Sequence, residues 1–258
     1  MQKSTIELPQ SNEVRQPLLQ QHDVIASTVY LQDCLIAMRE FEDNFFDLAC
    51  VDPPYGINAT NMQTGTHKTR SKDGYPGTST TTKIKGRLNS GGGKLKNRLL
   101  NKSVIDWDNE IPSDEYFKEL FRISKNQIIW GGNYFNLPPC RGFIVWNKNQ
   151  PWDNFSQAEF AWTSFDCPAK VFTFSNRGGA NEEKKIHPTQ KPVELYDFCF
   201  TRFATEGMKV LDTHLGSGSS RISADKSKLD FTAYEINEMY FNDQEKRYST
   251  YKSQLRLW

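Results

Sequence analysis

The chain has 258 residues, enough to bury the core of one α/β domain that carries a small additional lobe or insertion. Its 32 Lys and Arg residues balance its 31 Asp and Glu residues, and the net charge of +1 favours no class of charged partner. Five scattered Cys residues, none in a Cys-x-x-Cys pair, disfavour a disulfide framework or a zinc site and favour reduced thiols. The composition therefore predicts one cytoplasmic α/β domain without a metal site.

The start of the chain is polar and rich in Gln, which is typical of neither a signal peptide nor a membrane anchor. No apolar run approaches the roughly 20 residues that a membrane-spanning helix needs. We expect residues 1–27 to form an N-terminal arm and residues 28–258 to form the main domain, without a membrane association.

Strand and helix patterns alternate directly after this arm. Residues 27–31 are predicted to form a strand, residues 35–41 an amphipathic helix, and residues 46–51 a second, buried strand. The second strand leads straight into Asp52, so the strand ends on a carboxylate.

The stretch Asp52-Pro53-Pro54-Tyr55 follows this strand. Proline fixes its own φ and holds the residue before it in an extended conformation, so Asp52 and Pro53 lie in stiff backbone. The Asp52 carboxylate and the Pro53 carbonyl can both accept hydrogen bonds from one amino group, while Tyr55 offers a flat ring. This stretch fits a planar base with an exocyclic amine, although an ordinary strand followed by a proline-rich turn has the same pattern.

Residues 58–103 lack apolar periodicity and are rich in Gly, Ser, Thr and Lys. They carry ten Lys and Arg residues and a single acidic residue, Asp73. The stretch is either a solvated flexible insertion or an arm that contacts the phosphates of DNA. The candidate DNA-binding residues are Lys68, Arg70, Lys72, Lys83, Lys85, Arg87, Lys94 and Lys96.

The remaining chain continues the alternation of strands and helices. Strands are predicted over residues 127–130, 142–146, 158–163, 170–174, 209–212 and 230–234. Helices are predicted over residues 113–123, 193–203 and 219–226, with a last helix from residue 237 onward. The pattern predicts an α/β fold with a doubly wound, mostly parallel, Rossmann-like sheet, in which the strands 158–163 and 170–174 form an antiparallel edge. Ligands are then expected at the carboxyl ends of the parallel strands.

Two glycines, Gly216 and Gly218, lie in a predicted turn between the strand that ends at Asp212 and the following helix. Glycine permits a tight turn and a close ligand, and the helix N-terminus offers unpaired N–H groups. Arg221 stands where a dinucleotide fingerprint has its third Gly, and Glu235 ends the next strand, where an acid can bind ribose hydroxyls. This arrangement predicts a nucleoside-containing cofactor without a pyrophosphate, the alternative being an ordinary turn and a surface Glu.

Three motifs occur in a distinctive order: Asp-Pro-Pro-Tyr at 52–55, His-Pro-Thr-Gln-Lys-Pro at 187–192, and Asp-Thr-His-Leu-Gly-Ser-Gly at 212–218. Together they resemble the amino-group (N6-adenine/N4-cytosine) DNA methyltransferases, which use S-adenosylmethionine. The order, with the catalytic motif before the cofactor motif, is similar to the circularly permuted beta group of that family. The resemblance covers most of the chain, from about residue 28 to residue 255, and implies the Rossmann-like methyltransferase sheet.

The resemblance also assigns roles to individual residues. It implies that the catalytic residues are Asp52, Pro53, Pro54 and Tyr55, which hold the target base. It implies that the cofactor-binding residues are Asp33 at the adenine, Glu235 at the ribose, Asp212, Gly216 and Gly218 at the methionine part, His214 as a flat ring beside the cofactor, and Thr189 and Lys191 near the methionine tail. His214 replaces the usual Phe, and Gln32 precedes Asp33 where Gly is common. The target-recognition region corresponds to residues 150–186 and is short, so the basic insertion 58–103 is expected to share the reading of DNA.

By this resemblance, the chain moves a methyl group from S-adenosylmethionine to the N6 amine of a flipped adenine in double-stranded DNA. Asp rather than Ser at position 52 favours adenine. An N4-cytosine DNA methyltransferase is the nearest alternative, and a non-catalytic DNA-binding subunit with the same fold is another. The sequence leaves open a homodimer and a restriction endonuclease partner.

Overall fold

A computed structural model describes residues 26–57, 107–150, 156–175 and 185–255. The strands in these ranges are β1 Ser27–Leu31, β2 Leu48–Val51, β3 Gln127–Trp130, β4 Phe143–Asn147, β5 Ala158–Thr163, β6 Lys170–Thr173, β7 Lys209–Asp212 and β8 Asp230–Glu235. The helices are α1 Cys34–Met38, α2 Asp114–Ile123, α3 Val193–Phe203, α4 Ser219–Lys226 and α5 Glu238–Leu255, and a short 3-10 helix covers Gly132–Tyr134. None of the helices in the described ranges has the length and apolar character to span a membrane.

One eight-stranded sheet organises the described residues, in the order β1-β8-β7-β2-β3-β5-β4-β6. The first five strands in this order pair in parallel. Strand β5 is antiparallel to both β3 and β4, and β6 pairs in parallel with β4. The predicted fold class, a doubly wound and mostly parallel sheet with an antiparallel edge, is confirmed. Of the two strands predicted to form that edge, only β5 is antiparallel, and the prediction for residues 170–174 is wrong because β6 pairs in parallel with β4.

Helices cover both faces of this sheet. On one face, Ala49 and Val51 of β2 pack in a cluster with Leu120 of α2 and with residues of α1. On the other face, Leu48 of β2 packs in a cluster with Phe200 of α3 and with residues of α4. All four residues of β2 and all four of β3 are buried, which is why both strands have apolar residues at consecutive positions rather than at alternate ones.

Two elements, α1 and β2, are shorter than the sequence predicts by at least two residues. Helix α1 ends at Met38 instead of residue 41, because the N–H groups of Glu40 and Phe41 donate to carbonyls three residues back and close the last turn. Strand β2 begins at Leu48 instead of residue 46, and Phe46 forms only an isolated bridge to Ser124.

Much of the predicted recognition region belongs to the sheet. Within residues 150–186, β5 and β6 are sheet strands, while residues 151–155 and 176–184 lie outside the described residues. The basic insertion 58–103 and residues 1–25 of the predicted arm also lie outside the described residues. A role of any of these segments in reading DNA stays a prediction.

The carboxyl ends of the parallel strands meet at one edge of the sheet, as the topology requires. Asp33 follows β1 by two residues, Asp52 follows β2, and Gly131 follows β3. Asp212 and Glu235 are the last residues of β7 and β8. Residues from both ends of the chain therefore reach the same edge.

Gly131 has a left-handed backbone with φ of 72°, and a Cβ atom at this position would overlap the Tyr55 ring. Gly207 has a similar φ of 83°, but a Cβ atom there would meet nothing within 4 Å. A residue with a Cβ atom would therefore have similar backbone strain at both positions. Only at Gly131 would it also overlap a neighbouring side chain.

We expect Gly207→Ala to lower the free energy of unfolding by about 1–2 kcal/mol, the left-handed penalty of a residue with a Cβ. Gly131→Ala should lower it by roughly 1–3 kcal/mol more, because the Tyr55 ring has to move. Urea unfolding of both variants measures the difference. Equal losses in the two variants would show that the Tyr55 ring is not held against Gly131.

Candidate active site

The Asp52 carboxylate is held by one side chain that is close in sequence and by one that is distant. The hydroxyl of Tyr55 donates to Asp52 Oδ1 at 2.7 Å, and Lys191 Nζ lies 2.5 Å from the same oxygen. Lys191 Nζ also donates to the Tyr55 hydroxyl at 3.0 Å. These three side chains form a closed triangle at the end of β2, and their geometry fixes the orientation of the carboxylate.

Tyr55 is enclosed by other aromatic rings. Its ring stacks on Tyr134 with centroids 5.0 Å apart and an interplanar angle of 15°, and Phe135 meets it edge-on at 6.2 Å. One face of Tyr55, the ring predicted to stack on a base, is therefore occupied by Tyr134. Tyr134 is 42% exposed. Sequence reasoning missed this second ring, whose place after the Gly131-Gly132 turn gave no signal of its own.

Two charged residues that the sequence analysis did not select complete the cluster. Glu159 of β5 lies with Oε2 3.1 Å from Lys191 Nζ and with Oε1 2.6 Å from Lys148 Nζ. The Lys191 and Lys148 side chains are 4% and 5% exposed. The Asp52 and Glu159 side chains are 17% and 21% exposed. Two buried ammonium groups thus alternate in a row with two partly buried carboxylates, because a buried ion is tolerated only beside an opposite charge.

The charges in this row shift each other's ionisation. Burial raises the pKa of Asp52, and the neighbouring Glu159 adds to that effect while Lys191 opposes it. Burial alone would also raise the pKa of Glu159, but the ammonium groups of Lys191 and Lys148 outweigh it and lower that pKa to about 2. Burial disfavours the charged form of Lys191, yet Asp52 and Glu159 together raise its pKa. Glu159 and Lys191 are therefore both ionised at neutral pH.

The backbone after Asp52 is fastened by Asp108. Asp108 Oδ1 accepts from the N–H of Tyr55 at 2.7 Å and from the N–H of Gly56 at 3.0 Å. Asp108 is 2% exposed, and Gly56 has a left-handed φ of 69°. A buried carboxylate that accepts two backbone N–H groups holds this turn in one conformation.

The glycine loop lies at the ends of β7 and β8, as predicted. Gly216 and Gly218 have left-handed φ values of 53° and 73°. A Cβ atom at Gly218 would lie 3.2 Å from Gln244 of α5, so this glycine also permits close packing of that helix. Glu235 Oε2 accepts from the Gly216 N–H at 2.8 Å, and its Oε1 accepts from the Asn237 N–H at 2.8 Å. Glu235, predicted to bind ribose hydroxyls beside this loop, thus also anchors the loop through Gly216.

Asp212 is buried below this loop. Its Oδ1 accepts from the His214 N–H at 3.1 Å, and its Oδ2 accepts from the Ser220 hydroxyl at 2.5 Å. Burial raises the pKa of Asp212 to about 7, and these two hydrogen bonds offset only part of that rise. Burial also lowers the pKa of His214 to about 4, so its ring is neutral at neutral pH.

The other predicted cofactor residues are distributed along the same edge. Asp33 caps α1, and its Oδ1 accepts from the N–H groups of Leu35 and Ile36. Thr189 is exposed and lies beside His187, with its hydroxyl 3.2 Å from His187 Nδ1. Binding of a cofactor by either residue stays a prediction.

Lys191 joins the two halves of the site. Its carbonyl accepts from the Ser219 hydroxyl at the start of α4 at 2.7 Å, while its ammonium lies on Asp52. Lys191 was predicted to lie near the methionine tail of the cofactor. Its backbone lies beside α4, which follows the glycine loop, and its ammonium pairs with Asp52.

A buried donor beside His187 has no partner of its own. Trp107 Nε1 is buried and has no hydrogen-bond partner within the described part of the chain. The Trp107 ring lies 5.1 Å from the His187 ring, and a Cβ atom at Gly216 would lie 3.7 Å from the His187 ring. Buried donors are normally paired, so this N–H fits a ligand acceptor. With the N–H groups at the start of α4, these residues fit a nucleoside-containing cofactor that has a polar tail.

The candidate DNA-binding residues of the insertion lie outside the described residues. They are Lys68, Arg70, Lys72, Lys83, Lys85, Arg87, Lys94 and Lys96. Their role stays a prediction from charge alone.

Asp212 makes stability depend on pH. Its folded-state pKa of about 7 lies above the ordinary 3.8, so its contribution to stability is complete below about pH 4 and is lost as the pH rises through 7. Between pH 4 and pH 8, the free energy of unfolding of the wild type should fall by up to roughly 4 kcal/mol more than that of Asp212→Asn, which keeps the shape without the charge. Urea unfolding at a series of pH values measures this difference. Parallel pH profiles for the two proteins would contradict the raised pKa.

Part of the chain is similar in sequence to known DNA methyltransferases. Residues 147–246 match the DNA methylase family N6_N4_Mtase. A curated relative, the type II methyltransferase M.HpaI of Haemophilus parainfluenzae, is 34% identical over 73 residues, which are 28% of this chain and 23% of the relative. The match thus spans less than a quarter of that relative's length.

Two solved structures share the fold. The crystal structure of the M1.HpyAVI–SAM complex covers 86% of this chain and 98% of its own, with 16% identity and a TM-score of 0.50. The PvuII DNA methyltransferase, described as cytosine-N4-specific, covers 86% of each chain, with 13% identity and a TM-score of 0.52. These two structures show that the fold is shared. The match over residues 147–246 supports the amino-methyltransferase family for that part of the chain.

Proposed function

We propose that this chain is an S-adenosylmethionine-dependent DNA methyltransferase whose acceptor is the N6 amine of a flipped adenine. The observation that carries the proposal is the oriented Asp52 carboxylate, joined through Lys191 to the helix that follows the glycine loop. The family match over residues 147–246 supports transfer to an amino group of DNA.

The residues that would hold the cofactor surround the glycine loop. Glu235 offers a carboxylate for ribose hydroxyls, the N–H groups at the start of α4 and Trp107 Nε1 offer donors to a carboxylate tail, and Asp33 Oδ2 offers an acceptor at the end of β1. When bound, the cofactor supplies a methyl group activated by the neighbouring sulfonium charge.

The amine of adenine is a weak nucleophile because its lone pair is delocalised into the ring. Hydrogen bonds from this amine to the Asp52 carboxylate and the Pro53 carbonyl favour the localised lone pair and stabilise the positive charge that develops on the nitrogen. The Tyr55 hydroxyl, Lys191 and the two prolines hold the carboxylate before the base arrives. Orientation of the acceptor then supplies much of the remaining rate.

The target atom is inaccessible inside a duplex, so the base has to leave the stack. The Tyr55 and Tyr134 rings lie beside Asp52, and stacking of a base on such a ring contributes roughly 1–3 kcal/mol. A base can stack on Tyr55 by displacing Tyr134, whose side chain is partly exposed, or can stack on Tyr134 itself.

N4-cytosine is the second candidate acceptor, since its amine has the same chemistry and the PvuII enzyme of similar fold is described as cytosine-N4-specific. Asp at position 52 is the reason for preferring adenine. A non-catalytic DNA-binding subunit is a third candidate, and it would retain the fold without turnover.

We expect Asp52→Ala and Asp52→Asn to lower methyl transfer at least about 100-fold, because each removes the charge that the amine requires. The assay transfers labelled methyl groups to DNA from a methylation-free strain, and mass spectrometry of the nucleosides identifies the product. N6-methyladenine in the wild-type reaction supports the proposal, whereas N4-methylcytosine would identify cytosine as the acceptor. Undiminished transfer by folded Asp52→Ala would falsify the role of Asp52, and an inactive wild type would favour the non-catalytic subunit.

We also propose that the basic insertion contacts DNA phosphates. Deletion of residues 64–96 should weaken binding to double-stranded DNA and flatten its dependence on salt, because each lost phosphate contact removes roughly 0.9 from the slope of log K against log salt. A variant with Gln at the eight candidate Lys and Arg positions is the matched control, since it removes charge without shortening the chain. Unchanged slopes in both variants would show that the insertion does not bind DNA.

A further inference from the structure

The two oxygens of the Asp52 carboxylate are used unequally. Oδ1 accepts from the Tyr55 hydroxyl and faces Lys191 Nζ, whereas Oδ2 has no hydrogen-bond partner among the described residues. A carboxylate with one oxygen held by two donors cannot rotate without breaking both contacts. The oxygen left open is therefore the one that can accept from an incoming amine.

Lys191 could compete with that amine. Its ammonium has three donors and is close to Asp52, so it would satisfy both carboxylate oxygens if nothing else held it. Glu159 Oε2 lies 3.1 Å from the same Lys191 Nζ and competes with Asp52 for the ammonium. A competing carboxylate keeps the ammonium shared between two partners.

Glu159 is itself held in place. It lies on β5 opposite Trp146 of β4, and Lys148, two residues after Trp146, contacts its Oε1 at 2.6 Å. Strand pairing and this ion pair fix the carboxylate, and the Lys148 side chain is almost completely buried. Glu159 is thus a rigid second acceptor for Lys191.

Charge balance gives Glu159 a second effect. Asp52 and Lys191 alone form a neutral pair, which stabilises developing positive charge poorly. Glu159 places a second carboxylate 3.5 Å from the Tyr55 hydroxyl, and Lys148 pairs with its other oxygen. Glu159 raises the pKa of Asp52, so its charge favours a positive charge beside that carboxylate.

We propose that Glu159 is a positioning residue, which holds Lys191 on Asp52 Oδ1 and leaves Oδ2 to accept from the substrate amine. The effect on the substrate amine rests on the proposed methyl transfer. The positioning of Lys191 on Asp52 rests only on the geometry of the four charged side chains. Lys148 assists by fixing Glu159.

A buried Glu can also serve only the stability of the fold. The pKa of Asp52 distinguishes a positioning role from a purely structural one, because Glu159 and Lys191 change that pKa in opposite directions. Glu159 raises the pKa of Asp52 and Lys191 lowers it. The groups that act on Asp52, or on which it acts, are Lys191, Glu159, Tyr55, Asp212, Tyr196, Tyr116 and Cys50. Of these, Glu159 and Lys191 can be changed singly with opposite expected signs.

The test compares the wild type with Glu159→Gln, Glu159→Asp and Lys191→Met. Carbon-13 NMR of carboxyl-labelled Asp, with Asp52 assigned from Asp52→Asn, follows the ionisation of Asp52 without any turnover. We expect its pKa to fall in Glu159→Gln and to rise in Lys191→Met. Glu206→Gln, which removes one partner of an exposed ion pair with Lys228, is the matched control and should change neither the Asp52 titration nor the activity.

The catalytic part is measured in the methyl-transfer assay. Glu159→Gln should lower kcat by up to roughly 100-fold with a smaller change in KM for DNA, because the acceptor oxygen is misplaced rather than removed. The acid limb of its kcat profile should move to lower pH, while Glu159→Asp should recover part of the rate. An unshifted Asp52 titration in folded Glu159→Gln, or a wild-type kcat in that variant, would overturn the inference. An inactive wild type would instead refute the proposed function, and the NMR titration would still decide the structural part.

Discussion

The contact between Lys191 and Asp52 is the interaction on which the candidate site depends. Lys191 is almost completely buried, and its charge is tolerated only because Asp52 and Glu159 lie within ion-pair distance. Removing one partner of a buried pair leaves an uncompensated charge, which typically destabilises a protein by about 3–5 kcal/mol. The end of β2, the segment before α3 and the start of β5 are therefore tied together by electrostatics as well as by the sheet.

The fold was predictable where local patterns agree with tertiary structure. Buried strand β2 and the glycine turn after β7 have strong local signals, because fully buried parallel strands are continuously apolar and tight turns need glycine. The place of β5 between β3 and β4 was not predictable, since periodicity gives the existence of a strand and not its neighbour. The length of α1 was also overestimated, because its last turn closes through backbone contacts that have no residue signature.

The candidate site was predictable only in its backbone framework. Asp52, the glycines and Glu235 lie at strand ends, where topology alone brings them together. Glu159 was missed because its partner Tyr55 is remote, 104 residues away in the sequence. Lys148 was missed with it, because its partner in the cluster is Glu159. One signal was present in the sequence, since a carboxylate inside the otherwise uncharged strand Ala158–Thr163 needs a partner if it is buried.

Strand β5 runs against its neighbours, and this direction decides which of its residues lie near the site. In a purely parallel sheet only residues that follow strands reach the ligand edge, and those residues lie in loops. A reversed strand brings its first residues to that edge instead, where Glu159 is already fixed by its pairing with Trp146 of β4. Glu159 is thus a ligand-edge side chain on a paired strand, and it can bear charge at a fixed position without relying on the order of any loop.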